Sequence, residues 1–264
     1  MVYQQKVQII RNKQVHGAYY QLCLKCEKGF EKTTPGQFVM IRLSDNYYPL
    51  LRRPFSIHNL FQNEHGSDCI EILYKVIGKG TLALSEYQPN QWIDILGPIG
   101  NGFCLNKSHK KTILVSGGIG VAPMRFLAKC LLNNGSQCYV MNGGRTANDV
   151  LCTDSFQSLG IQVEIYTDDG SAGTKGFVTD DLDMHINQQA PDIVYACGPQ
   201  PMLSKVSEIS KEMNVACQVS LETYMACGMG ACLGCAVKSN DLKPSYFHVC
   251  ADGPVFLSDQ IFWE

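Results

Sequence analysis

Four cysteines near the end of the chain restrict its fold more than any other feature. Cys227, Cys232 and Cys235 lie in ACGMGACLGC and Cys250 follows in YFHVCADGP, a spacing of C-x4-C-x2-C-x14-C. Thiolates so placed converge only if the backbone wraps into a tight loop, and the spacing is that of plant-type [2Fe-2S] ligation. Gly228, Gly230 and Gly234 suit such a loop, because amides must approach sulfur without a Cβ in the way. The alternatives are unligated thiols or a structural zinc ion, which normally takes paired C-x2-C or C-x4-C knuckles. Only one such pair can be drawn, and Cys227 would then be crowded into the same loop.

The chain has thirteen cysteines. Eight of the others (Cys23, Cys26, Cys69, Cys104, Cys130, Cys138, Cys152, Cys217) stand in apolar strand-like or helical stretches and read as small buried hydrophobes. The N-terminus, MVYQQKVQII, lacks a basic leader followed by an apolar core, and no apolar run reaches the roughly 18 residues of a membrane helix. The expectation is a soluble cytoplasmic protein with reduced thiols rather than a disulfide framework. A net charge of -2 offers no electrostatic footprint for nucleic acid or anionic lipid.

At 264 residues the length suggests about two domains, and the rhythm of the sequence changes once. As far as about Leu105, short β-rich runs (QKVQIIR, AYYQLCLKC, GQFVMIRL, RPFSIHNL, CIEILYKVI, QWIDILGPIG) alternate with turn signals. That pattern predicts an antiparallel β-barrel, interrupted by a short helix from Thr81 to Glu86. From Lys110 the order becomes strand, glycine turn, helix, strand, as in TILVS, GGIGVAP and MRFLAKCLLNNG. QCYVMNGG, IQVEIYTDD and DIVYACGPQP repeat it, with a helix from Met202 to Met213 and a further strand at CQVSLE. This is a Rossmann-like parallel α/β pattern, which takes its ligand at the carboxyl ends of the strands. The expected division is 1–105 for the barrel, 106–220 for the α/β domain and 221–264 for the cysteine-rich subdomain.

Four further motifs are ambiguous one at a time. Arg53-Pro54-Phe55-Ser56 offers a planar fork for a pyrophosphate and a hydroxyl for a flavin ring, or a plain edge strand with a solvated arginine. Gly78-Lys79-Gly80-Thr81 is a second anion site before a helix, or a glycine turn with Thr81 as N-cap. Gly117-Gly118-Ile119-Gly120-Val121-Ala122-Pro123 lets a phosphate approach the backbone at the start of a helix, although its spacing is not the G-x-G-x-x-G fingerprint. Cys197-Gly198-Pro199 again ends a strand and opens a helix, and Cys197 could be an inert thiol.

The order of these motifs resembles the ferredoxin-NADP reductase superfamily. With the cysteine cluster at the end, the whole chain is similar to the electron-transfer subunits of NAD-dependent (class 1B) dihydroorotate dehydrogenases, most specifically along ETYMACGMGACLGC. The resemblance implies FAD on the barrel, held by Arg53 to Ser56, Leu73-Tyr74-Lys75, Gly80 and Thr81. It implies NAD(H) at Gly117, Gly118 and Gly120, with Cys197 and Gly198 beside the nicotinamide. It implies a [2Fe-2S] cluster on Cys227, Cys232, Cys235 and Cys250. No catalytic acid or base is expected, since a flavin accepts a hydride and passes electrons on singly.

The resemblance also implies a partner, an FMN-containing TIM-barrel subunit that oxidises dihydroorotate in pyrimidine biosynthesis, in a heterotetramer of two catalytic and two electron-transfer subunits. Met225, Met229 and Leu233 are candidates for part of the docking surface, or cover the cluster. The balance of Arg145 against Asp149, Asp168 and Asp169 favours NADH over NADPH. Another NAD(P)H:ferredoxin or sulfide-linked oxidoreductase subunit is the alternative enzyme, and a zinc-bound module without cofactors the alternative outside enzymes.

Overall fold

The apolar alternation of the first hundred residues folds into strands β1 (Tyr3–His16), β2 (Tyr19–Lys25), β3 (Phe38–Arg42), β4 (Arg53–Ser56), β5 (Asn59–Gln62), β6 (Asp68–Lys75) and β7 (Trp92–Ile99), with helix α1 (Lys79–Glu86) before β7. The computed structural model describes residues 2–27, 29–43, 49–64, 66–241 and 245–263. The seven strands form an antiparallel sheet in the order β4-β3-β7-β1-β2-β6-β5. Its two edges are consecutive in the chain, joined only by Ile57 and His58. The Ile57 amide donates to Gln37 O on one side and the His58 amide to Glu71 O on the other, so RPFSIHNL closes the sheet into a barrel by turning a corner. Val7, Ile9, Leu24, Ile41, Ile70 and Ile72 fill the inside.

β6 is buried on both faces. Ile70, Ile72 and Tyr74 point into the barrel, whereas Leu73 joins the core of the second domain. Period-two alternation therefore sends Lys75 to the same side as Leu73. The helix after it begins at Lys79 rather than at Thr81. Thr81 lies inside the first turn, and its hydroxyl accepts from the amides of Ile77 and Gly78 at 2.9 and 3.2 Å.

The second sheet comprises β8 (Lys111–Gly117), β9 (Gln137–Gly144), β10 (Gln162–Thr167), β11 (Thr174–Lys175), β12 (Ile193–Cys197) and β13 (Ala216–Ser220). A 3-10 turn (Gly118–Val121) and α2 (Met124–Asn133) follow β8, α3 (Thr153–Gln157) precedes β10, α4 (Leu182–Gln189) precedes β12, and α5 (Gln200–Glu212) follows it. α5 starts two residues before the expected Met202, because a proline in the first turn sacrifices no helical hydrogen bond. β14 (Ala236–Lys238) and β15 (Tyr246–His248) pair as a short ribbon, and β16 (Val255–Leu257) returns antiparallel to β13. The order is β11-β10-β9-β8-β12-β13-β16, so the chain reverses direction across the sheet between β8 and β12. Such a switch point leaves a crevice at the strand ends.

Of the eight cysteines expected as buried hydrophobes, Cys23, Cys26, Cys69 and Cys217 are buried. Cys104 is exposed and Cys130, Cys138 and Cys152 are half-buried. Cys104 falls in the connection between the two sheets, where no strand neighbour covers it. Among the described residues no helix is long and apolar enough to cross a membrane.

Among the described residues, polar contacts join the barrel to the rest of the chain in three places. Beside α2, the His58 ring bonds Ala122 O at 2.6 Å, and Glu71 lies between Arg11 and Arg125. Burial holds the His58 imidazole down at about 4, so it is neutral and its Nδ1–H donates. Beyond β9, Lys75 and Tyr19 reach Asp149 at 2.9 and 2.5 Å. At the exit of β7, Asn101 donates to Ala251 O and Asp252 O from its side chain and to Gly253 O from its amide.

Two measurements check this account. A Cβ at Gly120 would fall on the carbonyl of Cys197, so Gly120→Ala pries β8 from β12 and costs about 1–3 kcal/mol; an unchanged Tm would show that the two ends relax freely. Burial raises the Asp149 pKa, but hydrogen bonds from Lys75, Tyr19 and Arg145 outweigh it and hold the carboxyl at about 2 against an ordinary 3.8. A carboxylate held low contributes fully above its unfolded pKa and loses that contribution as pH falls through the folded value. Between about pH 4 and about pH 2 the wild-type chain should therefore lose more of its urea resistance than Asp149→Asn does.

Candidate functional site

The cysteine loop is built by backbone geometry that only a few residues tolerate. Gly228 and Gly230 lie in the left-handed region at φ +71° and +79°. The third such position is Leu233 at φ +60°, not Gly234. A non-glycine residue held there costs on the order of 1 kcal/mol, which neighbouring contacts must offset. Those turns aim amides at sulfur: Met229 N–H and Cys232 N–H donate to Cys227 Sγ at 3.4 Å each, and Gly230 N–H to Cys250 Sγ at 3.1 Å.

The four thiols fall into two pairs. Cys235 Sγ lies 3.3 Å from Cys250 Sγ, both fully buried, while Cys227 also takes a hydrogen bond from the Cys232 thiol. The Met229 amide foremost, with that of Cys232, holds the Cys227 thiol down at about 6 against the opposing effect of burial. Burial and the neighbouring Cys235 push Cys250 up to about 12. Among the described residues no three His, Cys, Asp or Glu side chains converge so as to hold one metal ion. Two pairs of sulfurs with amides directed at them instead fit a [2Fe-2S] cluster, which takes two thiolates on each iron.

This loop stands directly on the barrel. A Cβ at Gly228 would come within 2.6 Å of Met40 Cγ, and Met40 pairs with Pro54 across β3 and β4. Arg53, Pro54, Phe55 and Ser56 thus occupy the strand next to the one that carries the cysteine loop. Gly80 comes to the same edge, where a Cβ would be 3.8 Å from Arg53 Nε. Arg53 donates to Leu51 O at 2.8 Å and Arg52 O at 3.3 Å. Arg53, Pro54 and Ser56 are half-buried and Phe55 is buried.

Among the residues expected at a flavin, Tyr74 packs edge-on against Phe55, ring centroids 5.9 Å apart. Its side chain is enclosed in the barrel core, stacked on Tyr20 and bonded to Asn12 at 3.0 Å, so only its backbone can meet a ligand. Lys75 faces the α/β unit and is paired with Asp149. The FAD expectation is therefore narrowed at Tyr74 and Lys75 by the inward–outward alternation of β6.

A cavity of about 990 Å³ lies at the carboxyl ends of β8, β9 and β12. Gly117, Gly118 and Gly120 line it together with Gly198 and Pro199, as a phosphate-accepting turn requires. Cys197 does not line it. Its thiol is fully buried at the end of β12 and pushed up by burial, so the cavity wall begins one residue later, at Gly198.

Several wall residues had no role assigned to them from the sequence. Glu222, which opens the ETYMACGMGACLGC stretch one residue beyond the buried Leu221, reaches the cavity, where desolvation raises its carboxyl. Tyr19, Asp149 and Trp263 also line the wall. The Trp263 indole is fixed by Ser207 Oγ at 3.1 Å and Ser258 O at 3.0 Å.

Comparisons with known proteins agree with this geometry. Residues 222–262 match the iron-sulfur cluster binding domain of dihydroorotate dehydrogenase B, and residues 114–208 match the oxidoreductase NAD-binding domain. The dihydroorotate dehydrogenase B (NAD(+)) electron transfer subunit of Desulforamulus reducens is 41% identical over 87% of each chain. That of Caldanaerobacter subterraneus subsp. tengcongensis is 39% identical over the full length of both. Among solved structures, an NADH-dependent reduced ferredoxin-NADP oxidoreductase superposes with a TM-score of 0.85 at 28% identity, covering 97% of this chain and 90% of that one. The cytochrome b5 reductase domain of Ulva prolifera nitrate reductase, at 17% identity and a TM-score of 0.63 over 80% of this chain and 93% of that one, shares the fold. The cysteine loop, the glycine turn and near full-length identity together settle the family: this chain belongs to the dihydroorotate dehydrogenase B (NAD(+)) electron transfer subunits.

Proposed function

We propose that this chain conducts electrons between NAD(H) and a dihydroorotate-oxidising catalytic subunit, using FAD and a [2Fe-2S] cluster, in pyrimidine biosynthesis. The observation that carries the reading is the seating of the four-thiol loop on β3, beside the strand Arg53–Ser56, while the nucleotide cavity opens at the strand ends of the α/β unit. Flavin exchanges two electrons with a nicotinamide and single electrons with an iron–sulfur cluster.

The chain's own residues bind and orient. Arg53, Pro54, Phe55, Ser56, Gly80 and Thr81, with the backbone of Leu73, Tyr74 and Lys75, would hold the FAD. Gly117, Gly118, Gly120 and Gly198 would hold the dinucleotide, with Cys197 buried behind them. Cys227, Cys232, Cys235 and Cys250 would ligate the cluster, and the amides on Cys227 and Cys250 stabilise extra negative charge on those sulfurs. The units would be 1–105 for FAD, 106–220 for NAD and 221–264 for the cluster. The last of these also supplies β16 to the α/β sheet.

The partner is an FMN-containing TIM-barrel subunit, two of each chain per assembly, in the cytoplasm. Tyr224, Met229 and Leu233 are 96%, 59% and 58% exposed beside the cysteines, which supports a docking surface there. Met225 turns inward and packs on the core; it covers the cluster side rather than facing a partner.

The purified chain should carry one FAD and two irons without zinc. Mixed with a dihydroorotate dehydrogenase subunit of this class, it should let dihydroorotate reduce NAD+. A colourless or zinc-loaded protein would overturn the cofactor reading, and coupling only to ferredoxin would move the chain to the oxidoreductase alternative. Cys250→Ala should lose iron and keep flavin. A redox titration of the complex should place the cluster well above the about −400 mV of plant-type ferredoxins, because the amide donors on Cys227 and Cys250 favour the more negatively charged reduced form.

A further inference from the structure

A cluster of four polar side chains forms one wall of the nucleotide cavity. Asp149 Oδ1 accepts from the Tyr19 hydroxyl at 2.5 Å and from Lys75 Nζ at 2.9 Å. Its Oδ2 accepts from Arg145 Nε at 3.1 Å. Tyr19 and Lys75 come from the barrel, Arg145 and Asp149 from the segment after β9, and all four line the cavity together with the glycine turn. β6, which ends in Lys75, packs against that turn. Lys75 is fully engaged: it also donates to the Tyr19 hydroxyl at 2.8 Å and lies 4.7 Å over the Tyr19 ring.

A dinucleotide seated on the glycine turn brings a doubly charged diphosphate to this wall. The ammonium there is already neutralised, and the group that neutralises it is itself an anion facing the ligand. Both effects oppose diphosphate binding unless Lys75 changes partner. Asp149 can release it at moderate cost, because Tyr19 and Arg145 remain as donors and the carboxylate is not left bare.

We infer that Asp149 is a resident counter-anion for the dinucleotide site: it holds Lys75 across the cleft and yields it to the incoming diphosphate. Nucleotide affinity is then set by a competition between Asp149 and the ligand's phosphates for one ammonium, which makes Asp149 a positioning residue that acts through Lys75. This rests on reading the cavity as the NAD(H) site.

The test uses the cofactor-loaded complex and calorimetric binding of ADP-ribose, NAD+ and adenosine. Asp149→Asn should tighten ADP-ribose and NAD+ by about fivefold at low salt, as one partly exposed charge pair does, and leave adenosine unchanged. Lys75→Met should weaken the two diphosphate ligands, and in that background Asp149→Asn should bring no gain. Equal or weaker diphosphate binding by Asp149→Asn overturns the inference, as does a gain shared by adenosine or one that survives without Lys75. If Asp149→Asn does not load its cofactors, a crystal structure of the wild-type complex with ADP-ribose decides. Lys75 Nζ should then lie on a diphosphate oxygen; an ammonium still paired with Asp149 and clear of the phosphates overturns the inference. Wild-type protein that binds neither NAD+ nor ADP-ribose would overturn the nucleotide reading itself, a result distinct from any of these.

Discussion

The seating of residues 228 and 250–254 against the barrel is the contact on which the rest of the molecule depends. Gly228 lets the cysteine loop lie directly on Met40, and Asn101 binds the carbonyls of Ala251, Asp252 and Gly253 just past the fourth cysteine. Cys235 and Cys250 consequently share one apolar core with Phe38, Met40 and Ile99 of the barrel and with Val115 and Val219 of the parallel sheet. Packing of that density leaves little room for the loop to shift. A site that must pass electrons over short distances is thereby fixed to the scaffold that holds its flavin.

Other contacts between the barrel and the α/β unit are organised by charge. The barrel meets α2 and the turn after β9 through Glu71 and Asp149, two enclosed carboxylates, each with more than one donor. Polar joints of this kind specify one alignment, because a slipped alignment would leave a buried carboxylate unpaired. The nucleotide cavity lies between the two kinds of joint, with apolar packing toward the cysteines and an ion-pair wall toward the barrel. Its contents therefore face both the glycine turn after β8 and the Lys75–Asp149 ion pair.

Much of this was legible from local patterns. The β-rich runs, the glycine turn between TILVS and its helix, and the C-x4-C-x2-C spacing each describe residues close together in the chain, where period and steric tolerance are decisive. The reading weakened where a pattern was right but its neighbours decided the outcome. RPFSIHNL was one strand by alternation and became two, because Ile57 and His58 serve opposite edges of the barrel. Thr81 has the chemistry of an N-cap but sits within the first turn. Gly234 was expected, with Gly228 and Gly230, to give the loop its freedom, yet the left-handed position there is taken by Leu233 at φ +60°, because the path from Cys232 to Cys235 requires it one residue earlier.

The sequence by itself determined the spacing of the four cysteines, the two sheet types and the order of the glycine-rich and arginine motifs, since each follows from spacing and side-chain chemistry within a few tens of residues. Tertiary structure alone decided which face of β6 carried Lys75 to Asp149, that Cys197 would be sealed behind Gly198, and that Glu222 and Trp263 would wall the cavity. Lys75 and Asp149 stand 74 residues apart and Trp263 and Ser207 56, and such contacts exist only once burial has paired surfaces that no local pattern names.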